Sequence, residues 1–190
     1  MPELKKVRVR EAKERDLGLF RKLWKAFLTE QRERGAAMLP NSHNMEMFDT
    51  LFNLYVVEKS FKGFILFVGE QAVLMAGNPA SPFESSLGEV CYGWGAYVAP
   101  ECRGRKIGKE LYSVAREKIL EMGFDNFCAT HLLVDDASRH VLERAADGKL
   151  VEIDKNISIS RDMGVTELES TYIAPLKEDP APELEESEKD

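Results

Sequence analysis

The segment that decides the fold is YVAPECRGRKIGKEL, residues 97–111. It starts at the end of an apolar strand pattern, passes through a short turn, and continues into a helical repeat of apolar residues. The first amides of a helix have no partner within the helix, and the helix dipole makes that end partly positive. Because Gly104 and Gly108 allow close approach of the backbone, the turn is suited to a pyrophosphate.

The turn is also strongly basic. Its four cations are Arg103, Arg105, Lys106 and Lys109. They fall within seven residues of a body that is net acidic, which favours anion binding over a surface turn whose cations are only solvated.

The spacing of the glycines excludes the common nucleotide-binding loops. Three residues separate Gly104 from Gly108, whereas a Walker-type loop needs four, and the GWG of residues 93–95 lacks the third glycine of a Rossmann fingerprint.

Composition and charge predict one globular domain with an acidic tail. The chain has 190 residues, of which 44% are apolar and 31% charged, with a net charge of −7. Residues 177–190 hold seven acids and two lysines, a balance of −5, so residues 1–176 carry only −2. We expect residues 1–176 to form the domain and residues 177–190 to be a disordered, solvating tail. The nearly balanced body argues against binding to nucleic acid.

The cysteines and the apolar runs indicate the cellular compartment of the protein. Three cysteines at wide spacing, without a CxxC pair, argue against a disulfide framework and a zinc knuckle, and favour a reducing compartment. The three histidines have no metal-ligand spacing with one another or with the cysteines, so we expect no metal. No signal core follows Met1, and no apolar run approaches the ~18 residues of a spanning helix. The sequence predicts a cytoplasmic protein without a membrane partner.

Hydrophobic periodicity predicts an α/β fold. The predicted strands are residues 7–12, 64–68, 72–76, 90–98, 127–134, 150–153 and 171–176. The predicted helices are residues 17–35, with Asp16 as cap, about 45–55, with Ser42 or Asn44 as cap, 107–122, stopped by Gly123, and 137–146. A hairpin meander followed by strand–helix–strand units predicts a mixed sheet with helices on its faces.

Two stretches resemble the Gcn5-related N-acetyltransferase (GNAT) superfamily. Its motif V-x-P-x-x-R-G-x-G-I-G is matched by Val98, Pro100, Arg103, Gly104, Ile107 and Gly108. Lys106 stands where the family usually has its middle glycine. Residues 135–144, DDASRHVLER, resemble the N-x-A-S-R-x-V helix of the ribosomal-protein-acetylating branch, with Asp135 in place of asparagine. Element order agrees over about residues 7–176.

The resemblance implies a mixed, mostly antiparallel sheet with a V-shaped splay, flanked by about four helices. It also implies acetyl-CoA as co-substrate and no metal. Backbone groups around Val98 and Ala99 would hold the pantetheine arm and polarise the thioester carbonyl. The amides of seven residues would cradle the pyrophosphate; these are Arg103, Gly104, Arg105, Lys106, Ile107, Gly108 and Lys109. An amine would attack the thioester directly, without a covalent acyl-enzyme.

Three residues are catalytic candidates by the same resemblance. Ser138 is the candidate for the group near the departing sulfur, because the tyrosine position of many relatives is Leu142 here. Glu89 opens the strand that leads to the acetyl site, and Tyr92 lies nearer the position of a glutamate base in some relatives. Packing, solvation or a local hydrogen bond are the alternative roles for these side chains, and a water relay would require neither Glu89 nor Tyr92. Trp94 is close enough to this strand to line an acceptor pocket.

The sequence thus predicts an N-acetyltransferase acting on a primary amine of a small molecule or a peptide. Four acids flank the expected acceptor end and would attract a cationic amine: Glu46, Asp49, Asp154 and Asp162. A sheet edge near residues 171–176 could pair with a second copy of the chain and form a homodimer. The rival interpretation is a non-catalytic acyl-CoA sensor or interaction module, which the departures at Lys106, Asp135 and Leu142 favour. A third is an α/β domain whose basic turn binds nothing.

Overall fold

One sheet organises the part of the chain that the computed structural model describes, namely residues 8–34, 41–78, 89–132, 139–140, 151–160 and 165–175. Its strands are β1 (Val9–Glu11), β2 (Gly63–Val68), β3 (Ala72–Gly77), β4 (Val90–Val98), β5 (Asn126–Leu132), β6 (Val151–Ser160) and β7 (Val165–Pro175). Their order is β1-β2-β3-β4-β5-β7-β6. Only the β4–β5 pair is parallel among these, so the mixed, mostly antiparallel sheet is confirmed.

Helices cover both faces of the central strands. They are α1 (Leu17–Glu33), α2 (Ser42–Phe52) and α3 (Ile107–Glu121). The apolar side of α1, which includes Phe20, Trp24 and Leu28, packs with α2 on one face. The stripe of α3 that includes Leu111 and Ala115 packs on the other. All residues of β2 and β3 are buried, which explains why these strands read as unbroken apolar runs.

A β-bulge interrupts the pairing of β3 with β4. Met75 pairs with Gly95 and the next residue, Ala76, pairs with Gly93, so Trp94 is the extra residue on β4. A bulge adds one residue and thereby changes which side chains point to which face. Trp94 and Tyr97 consequently both pack with the cluster formed by α1 and α2. The paired glycines that flank Trp94 are the sequence signal of this bulge.

The sheet opens into a V between β4 and β5. Their parallel pairing runs from Val90 opposite Asn126 to Gly93 opposite Ala129 and then stops. Beyond that point β4 continues to Val98, while β5 continues to Leu132 in pairing with β7. The predicted splay is therefore confirmed, and it opens toward the amino terminus of α3.

The structure corrects the predicted free edge near residues 171–176. Strand β7 lies between β5 and β6, and Thr171, Tyr172 and Ile173 pair with both, so this part of β7 is not a free edge. The prediction failed because β6 and β7 are much longer than their apolar segments and pair with each other from Val165 to Ile173 of β7. The edge strands of this sheet are β1 and β6.

Two predicted helix caps are also corrected. The cap of α2 is Asn41, whose side chain accepts a hydrogen bond from the amide of Asn44 at 2.9 Å. Asp16 precedes α1, but its carboxylate accepts hydrogen bonds from Arg10 and from the amide of Lys13 instead of from the helix.

Of the predicted helix at residues 137–146, only Arg139 and His140 are described, and both are helical. The remainder lies outside the described residues. None of the helices in the described part is long and apolar enough to cross a bilayer.

Candidate active site

The turn between β4 and α3 contains two left-handed residues. Gly104 has φ 75°, and Lys106, which immediately precedes α3, has φ 63° and ψ 10°. Left-handed backbone conformations are readily adopted by glycine and cost other residues free energy. Glycine would therefore adopt the backbone conformation of position 106 more readily than lysine does. Conformations of this kind turn successive amides toward one side and create an anion-binding concavity.

The amino terminus of α3 has no internal cap. The first helical hydrogen bond runs from Glu110 N to Lys106 O at 3.1 Å, so the amides of Ile107, Gly108 and Lys109 have no helical acceptor. Lysine carries no acceptor, and Lys106 supplies no side-chain cap. The side chains of Arg105, Lys106 and Lys109 are exposed, and in the described part of the chain none of them forms an ion pair. These donors and charges fit a pyrophosphate.

Arg103, the fourth cation of the turn, has different surroundings. Its amide donates to Pro100 O at 3.2 Å, and its guanidinium Nε donates to Val98 O at 3.0 Å. The same guanidinium forms an ion pair with Glu30 of α1, which also pairs with Arg34, the residue that follows this helix. This network lies beside a surface depression of about 670 Å³ between α1 and the end of β4. Burial, followed by the charge of Glu30, raises the pKa of the neighbouring Tyr97.

The open side of β4 forms one wall of the V. The amide of Ala99 donates to Gln71 O at 2.8 Å, so this peptide group faces the β2–β3 turn. Because the peptide groups of successive strand residues face opposite edges, those of Val98 and Ala96 face the gap. The Val98 carbonyl already accepts from Arg103. Within the described residues, β5 does not pair with Ala96, so no strand partner there occupies its peptide group. No sequence motif points to this residue.

Aromatic side chains lie at the apex of the gap. Tyr92 is opposite Cys128, one position before the β4–β5 pairing ends at Gly93. The rings of Tyr92 and Trp94 are half-buried and meet edge to face, with centroids 5.0 Å apart. Trp94 Nε1 donates to Tyr55 Oη at 2.9 Å, which in turn donates to Asn78 O at 2.7 Å.

Tyr55 is held by an unusual local structure. It lies in a π-helical turn, Asn53–Val57, and such turns are frequent at functional sites. Its ring rests on the cross-strand pair Gly63 and Gly77, where an added Cβ would come within 2.4 Å and 2.7 Å of the ring. Burial raises the pKa of Tyr55 to about 12, so the hydroxyl stays protonated at neutral pH. A lone tyrosine at a helix end gave no sequence signal for this role.

The predicted base Glu89 lies away from the gap. It precedes the first β4–β5 pair, at the closed end of the V, and its exposed carboxylate pairs with Lys62 at 3.2 Å. The four residue steps from Glu89 to Gly93 correspond to about 13 Å of strand. Ser138 and Asp162 lie outside the described residues. Among the predicted acceptor-attracting acids, Asp49 forms a bidentate ion pair with Arg21, at 2.8 Å to 3.1 Å.

The three cysteines are buried thiols. Cys91, Cys102 and Cys128 are all buried and unpaired. Burial raises the pKa of Cys91, and it raises that of Cys128 to about 12, so both thiols are protonated at neutral pH. The described residues contain no group of three or more His, Cys, Asp or Glu that could hold a metal ion.

The splayed sheet and the uncapped basic turn define an α/β protein with a candidate anion site at the mouth of its gap. A family model supplies the identification: the chain belongs to the acetyltransferase (GNAT) family, whose model matches residues 19–146. The predicted superfamily is thereby confirmed, and the ribosomal-protein-acetylating branch stays a prediction. Among curated protein sequences, none matches this chain significantly.

Solved structures show the same fold. The yncA protein from Salmonella typhimurium, solved with its cofactor acetyl-CoA, has a TM-score of 0.70 at 13% identity, over 93% of this chain and 98% of that one. An N-acetyltransferase from Staphylococcus aureus Mu50 has 0.67 at 12%, over 90% and 98%. The ribosomal-protein-S18-alanine N-acetyltransferase from Escherichia coli has 0.59 at 13%, over 92% and 97%. At these identities the likeness establishes the fold.

Proposed function

We propose that this chain is an acetyl-CoA-dependent N-acetyltransferase whose acceptor is a primary amine of a small molecule or a peptide. The observation that carries the proposal is the uncapped, basic amino terminus of α3 at the mouth of the β4–β5 gap. Family membership, and a fold like that of a protein solved with acetyl-CoA, support the same co-substrate.

The proposed binding mode follows from the two ends of the gap. The amides of residues 104–109 bind the pyrophosphate, and Arg105, Lys106 and Lys109 add charge. Ile107 contributes its amide alone, since its side chain is buried in the core. The pantetheine arm runs along β4, where the Ala96 peptide group offers it a donor and an acceptor. The five residue steps from Gly93 to Val98 span about 17 Å, so the thioester lies toward the apex.

The proposed reaction is a direct transfer. A neutral amine attacks the thioester carbonyl carbon; the C–N bond forms, the C–S bond breaks, and the amine loses one proton while the thiolate gains one. Tyr92 lies at the apex and is the described side chain best placed to order a water that takes the amine proton. Ser138 is proposed as the donor near the sulfur on the family resemblance alone. Glu89 is not carried forward as a base, because it lies at the closed end of the V.

Calorimetric titration tests the co-substrate. We expect micromolar binding of acetyl-CoA and no binding of ATP. Replacing Arg105 and Lys109 together by glutamine should weaken binding of acetyl-CoA at least tenfold, which corresponds to about 1.4 kcal/mol. Lys25→Gln, which removes an exposed cation of α1, is the matched control and should bind as the wild type does. A folded wild-type protein that does not bind acetyl-CoA would refute the proposal.

A free-thiol release assay with a panel of amines and peptides then tests catalysis. CoA release that depends on the amine, with the acetylated amine identified by mass spectrometry, supports the transferase. The similarity of residues 135–144 to the ribosomal-protein-acetylating branch places peptide amino termini in that panel. Tight binding of acetyl-CoA without turnover on any amine would instead support the non-catalytic sensor, which the departure at Lys106 favours.

A further inference from the structure

The carboxylate of Glu30 joins the end of α1 to the turn that precedes α3. One oxygen pairs with Arg103 of the turn, and the other pairs with Arg34, which directly follows α1. The Glu30 side chain is only 20% exposed. The guanidinium of Arg103 also holds the carbonyl of Val98, the last residue of β4. The guanidinium of Arg103 therefore connects α1, the end of β4 and the turn that precedes α3.

Arg103 differs in this respect from the other cations of the turn. Arg105, Lys106 and Lys109 are exposed and form no ion pair in the described part of the chain, so their charges are available to an anion. The charge of Arg103 is matched by Glu30, and its Nε and amide are occupied by Val98 O and Pro100 O. The side chain that occupies the motif's arginine position is thus bound to protein groups.

We propose that Glu30 is a positioning residue for the pyrophosphate-binding turn and acts through Arg103. The inference rests on the proposed function, since it concerns how acetyl-CoA is held. The turn contains two left-handed residues, Gly104 and Lys106, and such conformations persist when the surroundings restrain them. The Glu30–Arg103 pair supplies that restraint from outside the turn. The amides at the start of α3 are thereby kept in a conformation that receives the pyrophosphate without rearrangement.

A competing role for the pair makes an opposite prediction. Suppose instead that Arg103 binds phosphate and that Glu30 competes with the phosphate for its guanidinium. Removing Glu30 would then make the Arg103 charge available to the pyrophosphate. Binding of acetyl-CoA would then tighten and become more dependent on salt. If Glu30 positions the turn, removing it weakens binding and leaves the salt dependence as it was. The salt dependence therefore distinguishes the two roles.

The test measures the dissociation constant of acetyl-CoA at 50 mM and 300 mM salt for Glu30→Gln, Arg103→Gln and the double variant. We expect roughly a tenfold loss for each single variant, and a double variant no weaker than either, because both remove the same pair. Glu33→Gln, an exposed glutamate in the same turn of α1, is the matched control and should bind as wild type does. In steady-state kinetics the Glu30→Gln loss should appear in KM for acetyl-CoA, with kcat and the amine KM within twofold.

Limited proteolysis of the ligand-free protein tests the restraint without acetyl-CoA. Trypsin cleaves after Arg103, Arg105 and Lys106, and we expect Glu30→Gln to be cut in this turn at least fivefold faster than Glu33→Gln. Equal cleavage together with equal affinity in the two variants would overturn the inference while the proposed function stands. Tighter, more salt-dependent binding by Glu30→Gln would also overturn it. A wild-type protein that does not bind acetyl-CoA would remove the proposed function and this inference together.

Discussion

Trp94 and Tyr55 are joined by a hydrogen bond of 2.9 Å from the indole Nε1 to the phenol oxygen. Trp94 is the extra residue of the β4 bulge, and Tyr55 lies in a π-helical turn 39 residues earlier in the chain. The bond fixes the orientation of the indole, whose ring forms part of the aromatic wall at the apex of the gap. The β4 bulge thus turns Trp94 toward the site, and the π-helical turn places Tyr55 where it holds the Trp94 indole in that orientation.

Tyr55→Phe should destabilise the protein and disturb this wall. The change removes the donor to Asn78 O and leaves Nε1 of the half-buried Trp94 without its acceptor, at a cost of about 1–2 kcal/mol. Urea denaturation of Tyr55→Phe, Trp94→Phe and the double variant provides the measurement. We expect the double variant to be less destabilised than the sum of the two single variants. Strict additivity would show that the hydrogen bond does not couple the two residues.

Gly95→Ala should destabilise the protein by overpacking. A Cβ at this position would lie 2.9 Å from the ring of Phe27 and 3.2 Å from that of Trp24, so α1 would have to move away from β4. The expected cost is about 1–3 kcal/mol by denaturant unfolding. Gly18→Ala is the control. Gly18 lies in α1, the helix that carries Trp24 and Phe27, and a Cβ added there would have no atom within 4 Å, so this substitution should stabilise the protein by about 0.5–1 kcal/mol. Equal effects of the two substitutions would contradict the close packing seen at Gly95.

The elements around the site could be predicted because local signals agree there. Apolar residues of β4 run to Val98 and end before Pro100, and the stripe of α3 ends at Gly123, so strand and helix were both located within about one residue. Relationships between distant residues could not be predicted in the same way. Glu30 and Arg103 are 73 residues apart, and no local pattern reports that pair.

The hairpin of β6 and β7 shows a second limit of sequence patterns. Both strands continue through charged and polar residues, where period-two alternation of apolar residues is weak. The sequence therefore predicted two short strands and a free edge, whereas pairing along the full length of the hairpin makes β7 an interior strand. Register in such strands is set by the partner strand and the turn, which composition does not encode.

The Asp16 carboxylate should make stability depend on pH. It accepts hydrogen bonds from Arg10 at 2.6 Å and 2.9 Å and from the amide of Lys13 at 2.8 Å, and the Arg10 guanidinium lowers its pKa. A pKa lower in the folded than in the unfolded state stabilises the fold above the unfolded value of about 3.9, and this contribution is lost as the pH falls through the folded pKa. Asp16→Asn should therefore be less stable by about 1–3 kcal/mol at pH 7.

The difference between Asp16→Asn and the wild type should begin to shrink as the pH falls below about 4, because the unfolded chain then takes up a proton on Asp16, and it should disappear as the pH falls through the lower pKa of the folded state. Urea unfolding at pH 7, 5 and 3 measures it. Asp49→Asn is the comparison, since its partner Arg21 is more than half exposed, and such pairs contribute at most about 1 kcal/mol. A difference for Asp16→Asn that stays constant from pH 7 to pH 3 would show that the charge of Asp16 is not responsible.

Lys106→Gly should make the protein more stable while weakening the binding of acetyl-CoA. A left-handed conformation costs a lysine about 1–2 kcal/mol, and glycine avoids this at an entropic cost of about 0.5–1 kcal/mol, so a net gain of about 0.5–1 kcal/mol is expected. Lys59→Gly should give the same gain, since Lys59 also has a positive φ of 53° and lies outside the turn. Thermal unfolding measures both.

The same variants separate backbone strain from charge at the proposed site. Lys106→Ala removes the cation and keeps the unfavourable φ of 63°, so it should lose affinity for acetyl-CoA as Lys106→Gly does, without any gain in stability. Lys59→Gly should gain stability and bind acetyl-CoA as the wild type does. If Lys106→Gly bound acetyl-CoA as tightly as the wild type, the lysine would contribute no phosphate contact, and its presence in place of the family's glycine would be a pure cost to folding.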